Sequence, residues 1–278
     1  MFYRQLKNEL IKLFGKKRTY IGFGAFVLVQ TIMLLVFRYG QWQRNFEALL
    51  NGNGYVASEF ISVLTVAVFM LIPQIALLMP LYGTLVGGDM VAKEAEDGTL
   101  RMILSRPISR LRLLFVKWIT SIIFAVILVL ALGVTALLMA SIFFPWKGMF
   151  VFIPNEMFSL LPMQEGLIRF GISHLALAMN AVVVVSVAFA FSCFNMKPAA
   201  ATILGLSFIF MNAVMQNIPF FESYREWFIT YHFNSWLLVF GDPIPWAQIV
   251  QSEIILAAVS ATAFVIGTMA FQVRDIKS

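Results

Sequence analysis

Six long apolar runs constrain this chain more than anything else in it. They occupy residues 20–37, 61–86, 113–144, 170–194, 199–215 and 249–271. A membrane-crossing helix needs about 17–25 apolar residues to traverse a hydrocarbon core of roughly 30 Å, and every run meets that length. Between them the runs leave little material for a water-facing surface. Only 12% of the 278 residues are charged and 60% are hydrophobic, against roughly 25% charged in a soluble domain. The apolar surplus has to face lipid. The expected fold class is therefore all-α, a polytopic membrane protein with six transmembrane helices. A membrane barrel would alternate polar and apolar residues, and stretches such as 122–128, Ile-Ile-Phe-Ala-Val-Ile-Leu, do not. The second run is interrupted by Pro73 and Pro80, and the third is long enough to tilt or to project beyond the lipid. The first run is too long for a signal peptide and lacks a nearby small-residue cleavage site, so it is expected to stay as an anchor.

Charge then orients the spans. Of the twenty lysines and arginines, all but Arg38, Arg44, Lys147, Arg169 and Arg225 fall at one membrane side if alternate loops are assigned to alternate faces. Positive residues accumulate on the cytoplasmic side, so both termini are expected inside a prokaryotic inner membrane. The net charge of +6 is then a consequence of topology and of contact with anionic membrane lipid, not a nucleic-acid footprint. Within residues 1–18, Phe2, Leu6, Leu10 and Leu13 recur at the helical period while Arg4, Asn8 and Lys12 fall on another face. That pattern predicts an amphipathic helix lying in the interface.

Residues 88–112, between the second and third spans, carry the most informative pattern. Acidic residues (Asp89, Glu94, Glu96, Asp97) come first and basic ones (Arg101, Arg106, Arg110, Arg112) mostly follow. Thr99 is placed to cap a short helix whose Leu100, Ile103 and Leu104 share a face. Pro107 ends it by biasing Arg106 out of the helical region, and Ser109 stands as the cap of the next helix. A short helix with an apolar face, held below the bilayer and flanked by charge, suits docking to a partner. A turn tucked against the span ends explains the same pattern.

The stretch Glu94-Ala95-Glu96-Asp97-Gly98-Thr99-Leu100, followed by Leu104-Ser105-Arg106-Pro107-Ile108-Ser109-Arg110 and then Lys117, resembles the permease subunits of type-2 ABC transporters. The close match covers about 24 residues, and the six-span plan extends the likeness over the chain. Arg101 departs from it, standing where relatives often carry an acid. The resemblance implies a single permease domain over residues 1–278, in which the 1–18 helix is a connecting helix. It makes Glu94, Glu96, Asp97, Gly98, Thr99, Leu100, Arg101, Leu104, Arg106 and Pro107 the coupling element for a separate cytoplasmic ATPase. It further implies two ATPase copies carrying ATP and magnesium, a second permease forming a homodimer or heterodimer, and export as the direction of transport. Residues 216–247 would form short re-entrant helices at the outer face. Independently, that segment is rich in aromatic residues and broken by Pro219, Pro243 and Pro245, as befits a membrane–water boundary.

The chain itself offers no chemistry. It has no phosphate-cradling G-x-x-x-x-G-K-[ST] loop, and its single cysteine, Cys193, and two histidines, His174 and His232, are dispersed. No catalytic residue, metal site or cofactor of its own is expected. Gln74, Asn180, Asn212 and Gln216 are candidates to line a translocation path. Ordinary hydrogen bonding between helices is the favoured account of each such residue taken singly. Glu253 sits near the start of the sixth span, where a buried carboxylate would be costly. A stand-alone secondary transporter or channel is the alternative reading, but it calls for intramembrane ionisable residues and inverted repeats, and few of the former and none of the latter are evident.

Overall fold

The computed structural model describes residues 2–105, 108–153 and 157–274. Helix α1 (Phe2–Phe14) leads through a tight corner into α2 (Lys17–Tyr39). Two short helices, α3 (Gln41–Gly52) and α4 (Ala57–Phe60), follow at the far end of α2. The second span comprises α5 (Val63–Pro73), a π-helical turn at Gln74–Leu78 and α6 (Met79–Glu96). A six-residue helix, α7 (Thr99–Leu104), precedes α8 (Arg110–Ala140). Strands β1 (Met149–Ile153) and β2 (Met157–Leu161) then lead to α9 (Met163–Cys193) and α10 (Pro198–Met215). A 3-10 helix (Pro219–Trp227), α11 (Ile229–His232) and α12 (Ser235–Leu238) come before α13 (Trp246–Val273).

Six helical segments among the described residues are long and apolar enough to cross a membrane. They coincide with the six predicted runs, and the chain is a polytopic all-α membrane protein. Several boundaries differ from expectation. Pro73 and Pro80 do not break the second span. Pro73 has no N–H, the N–H of Gln74 bonds the Leu71 carbonyl, and the freed Met70 carbonyl takes the Gln74 side chain at 2.8 Å. A π turn absorbs the irregularity, as such turns do inside helices. The helix then runs ten residues past Val86, because Gly87 and Gly88 are contact points and not a turn. A Cβ on Gly87 would lie 2.4 Å from the Val185 carbonyl of α9, and one on Gly88 would lie 2.6 Å from Thr202 Oγ1 of α10. Small residues let membrane helices approach this closely.

The third span stops at Ala140, short of the expected Phe144. Helices α3 and α4 and the β1–β2 hairpin were not legible as structure in the sequence. The strands pair antiparallel, with Met149 opposite Leu161 and Phe152 opposite Phe158. Their Phe, Val, Ile and Leu side chains suit a pleated, half-buried surface. The hairpin is seated on the second span, where the Phe150 N–H donates to Thr65 Oγ1 at 2.8 Å.

Helix α9 is the hub, packed against α6, α8, α10 and α13. Of its most apolar stretch 83% is buried, whereas the corresponding figure is 22% for both α2 and α10. The peripheral helices therefore present most of their apolar surface outward.

Candidate functional site

The element singled out by sequence is built around one left-handed residue. Helix α6 ends where the Asp97 N–H bonds the Lys93 carbonyl at 2.9 Å. Gly98 then adopts φ +72°, a conformation glycine reaches without steric cost, and the chain turns directly into α7. Thr99 is not the cap expected of it. Gly98 occupies that position, and the Thr99 hydroxyl instead donates back to the Glu94 carbonyl at 3.3 Å. Ser109 does cap α8, accepting the Arg112 N–H at 3.3 Å. Arg106 and Pro107 lie outside the described residues.

The turn has two faces. Leu100 is 2% exposed and packs with Met90, Val91, Leu113, Leu114 and Phe189, while Ile103 and Leu104 lie partly buried against the same cluster. Glu96, Asp97, Gly98, Arg101 and Met102 point away from the bundle. Lys93 holds the two exposed acids in place, 2.7 Å from Glu96 and 3.2 Å from Asp97.

Glu94, one turn before the bend, faces inward with its side chain 7% exposed. Its Oε1 pairs with Lys12 of α1 and lies 2.8 Å from Lys117 Nζ of α8. Lys117, 1% exposed, also donates to Glu9 of α1 at 2.8 Å. Nearby, Arg18 at the start of α2 pairs with Asp89 of α6. Three acids and three bases thus join α1, the root of α2, the end of the second span and the beginning of the third. Neutral contacts reinforce the corner: Thr19 Oγ1 donates to the Leu13 carbonyl and Tyr82 Oη to the Thr19 carbonyl, both at 2.7 Å. Lys16 is an additional cation at the same place. Burial, together with neighbouring Lys12 and Arg18, pulls its ammonium below the ordinary lysine range.

A desolvated carboxylate shared by two lysines has few alternative partners, so the network ties the end of α6 to both α1 and α8. Sequence reasoning placed Glu94 among the docking residues. The structure turns Glu94 and Leu100 into the bundle and leaves Glu96, Asp97 and Arg101 exposed. It also adds Glu9, Lys12, Arg18 and Asp89, whose only sequence signal was charge on the rim of an apolar segment.

The four path candidates do not hydrogen-bond to one another. Gln74 repairs its own helix, and Asn212 donates to the Phe208 carbonyl one turn back at 2.9 Å. Asn180 of α9 donates to the Phe233 carbonyl at 2.8 Å. Gln216 accepts from Thr230 at 2.9 Å. The last two therefore secure the short helices that follow α10. Arg169 anchors the same segment from α9, donating to the Gly241 carbonyl at 2.6 Å. Ser235 donates to Glu253 at 2.8 Å. Among the described residues no three His, Cys, Asp or Glu side chains form a group able to hold a metal.

Comparison with known proteins fits this geometry. A family model described as ABC-2 family transporter protein matches residues 6–227, which takes in most of α1, the α6–α7 bend and all six network residues. Over 72 residues the chain is 33% identical to a Bacillus subtilis (strain 168) protein described as uncharacterized protein YhcI. That similarity spans 26% of this chain and 23% of the Bacillus protein.

Proposed function

The chain belongs to the ABC-2 transporter family, as a permease of an ABC transporter, and from that premise we propose that it is the membrane-spanning subunit of an ATP-driven exporter. ATP and magnesium are bound and turned over on a separate cytoplasmic ATPase, present in two copies beneath two permeases. The end of the bundle carrying α1, α7 and the charge network faces the cytoplasm, as the positive-inside distribution favours. Helix α1 lies in the inner interface with its cationic face toward lipid headgroups. The short helices at 216–247 form the outer re-entrant segment. Supporting that reading, the Phe233 carbonyl sits level with Asn180, thirteen residues or ~20 Å along α9 from Cys193.

The observation that carries the proposal is the two-faced α6–α7 bend. Glu96, Asp97, Arg101 and Met102 form the surface an ATPase groove grips. Leu100 and Glu94 form the surface that passes its displacement into both adjoining spans. Closure of the ATPase pair on ATP moves the bend, and the bundle rocks as a unit between two arrangements that differ in ATPase contact.

The test is to reverse charge on the exposed face (Glu96→Lys with Asp97→Lys) and, separately, to place a charge on it (Met102→Glu). Both leave the buried network untouched. Loss of ATPase co-purification, or of permease-stimulated ATP hydrolysis, is expected from permease that remains monodisperse. Normal values of both in both variants would remove the basis for this assignment.

A further inference from the structure

A groove runs down one side of the molecule, and its two halves differ in chemistry. The upper half is a cleft of about 530 Å³ between the 3-10 helix and α11 on one side and the beginning of α13 on the other. The exposed Glu226 carboxylate, the Trp227 and Tyr231 rings and the amides of Gln248 and Gln251 line it. Its floor is fixed. His232, 5% exposed, lies 3.0 Å from both the Ser252 hydroxyl and the Glu226 carbonyl through its two ring nitrogens. Neither lysine nor arginine is among the lining residues. Arg225, next in sequence, turns aside to donate to the Gln216 carbonyl at 3.2 Å.

The lower half, of about 450 Å³, is bounded by α9, α10 and α13 and is almost wholly apolar, with Phe191, Phe208, Val259 and Ile266 among its walls. Ile255 borders both halves, so the two adjoin along one face of α13. From Ile255 to Ile266 that face extends ~16 Å toward the basic end of the bundle. An acid-and-aromatic cleft at the start of α13 thus adjoins an apolar trough along its middle.

We propose that this groove binds one membrane phospholipid with a primary ammonium headgroup, phosphatidylethanolamine in chemistry, with an acyl chain in the trough. A carboxylate beside two aromatic rings attracts an ammonium through charge and ring faces together, whereas an anionic headgroup meets Glu226 with no lysine or arginine in the lining to offset it. The two side-chain amides supply donors for the phosphodiester and ester oxygens. The trough excludes water and matches hydrocarbon. The site is independent of the ATPase-coupling bend, which lies at the other end of the bundle, and it stands or falls separately from the coupling assignment.

The test uses the purified full-length chain, stripped of lipid and then offered phosphatidylethanolamine or phosphatidylglycerol of identical acyl chains, with bound lipid counted by native mass spectrometry. The expected result is preferential retention of one phosphatidylethanolamine. Glu226→Gln, an exposed change that leaves the fold alone, should lower that retention about tenfold while raising retention of phosphatidylglycerol. Ala258→Trp, which plugs the trough from an exposed position of α13, should abolish retention of either lipid. Equal retention of both lipids by the unaltered chain would overturn the headgroup assignment. Unchanged retention in Ala258→Trp would overturn the site. So would a shift from dimer to monomer in Ala258→Trp with bound lipid unaltered, since the groove would then be a contact between two copies of the chain.

Discussion

Lys117→Met is the sharpest probe of the charge network. Lys117 is 1% exposed and lies 2.8 Å from both Glu9 and Glu94. Methionine keeps most of its length and removes its charge. Deleting one member of a buried ion pair costs about 3–5 kcal/mol, because the carboxylate left behind stays desolvated. Two features of this site favour the lower end. Glu9 is 18% exposed and can rehydrate, and Lys12 still reaches Glu94. Lys12 offsets little, however, since its side chain is 44% exposed and an ion pair of that kind is worth about 0.2–1 kcal/mol. The expected loss is therefore about 3 kcal/mol. The double variant Lys117→Met/Glu94→Leu removes both buried charges and should return to within about 1 kcal/mol of the parent. The two positions would then show a coupling energy of at least about 2 kcal/mol in a double-mutant cycle, and more by whatever Glu94→Leu costs alone. Reversible unfolding in mixed micelles, followed by far-ultraviolet circular dichroism, measures both quantities. Stimulated ATP hydrolysis should stay low in the double variant, because stability is restored while the tie between α1, α6 and α8 is not. Additive effects within about 0.5 kcal/mol would refute the reasoning, as would full coupling in the double variant.

Other consequences follow from individual contacts. Gly87→Ala places a methyl group against the Val185 carbonyl and should cost about 1–3 kcal/mol through forced separation of α6 and α9; an unfolding midpoint equal to the parent's would contradict the close approach. Gly98→Ala meets no atom within 4 Å, so its cost should be the left-handed backbone alone, about 1–2 kcal/mol, with ATPase co-purification reduced because α7 is re-aimed. Asn180→Ala should cost about 0.6 kcal/mol, the average for an interhelical membrane hydrogen bond, and should speed amide exchange across residues 229–238; exchange identical to the parent's would show that the bond to Phe233 does not hold the segment. Lys16 provides a pH signature. Its ammonium is pulled down by burial and by Lys12 and Arg18, so in the window between the lowered value and the ordinary 10.5 the unfolded chain binds the proton and the folded chain does not. Stability rises with pH there, and Lys16→Gln should flatten that slope; an unaltered slope assigns it elsewhere.

The bend at 97–99 was readable because its chemistry is local: a glycine, a run of charge and a serine cap act within a few residues of themselves. The assignment of Thr99 as the cap failed for the same reason inverted. Its hydroxyl reaches back to the Glu94 carbonyl, and only the left-handed turn at Gly98 brings that carbonyl within range. The double glycine at 87–88 read as a loop because glycine at a turn and glycine at a helix crossing look identical until the neighbouring helix is in place. The β1–β2 hairpin was obscured by the shortness of its strands and by aromatic residues that suit a membrane boundary as well as a strand.

Composition and charge order alone determined the number of spans, their alternation and the concentration of cations at one end, since hydrophobicity and charge sum along the chain without reference to fold. They could not decide which spans lie inside. The most apolar stretches of α2 and α9 have the same mean hydropathy, yet 22% of one and 83% of the other is buried, because lipid and protein interior are equally apolar and no transfer energy separates them. Close packing at small residues made α9 the hub. The same packing brought Glu9, Glu94 and Lys117 together from positions up to 108 residues apart in sequence, and turned scattered charges into one joint.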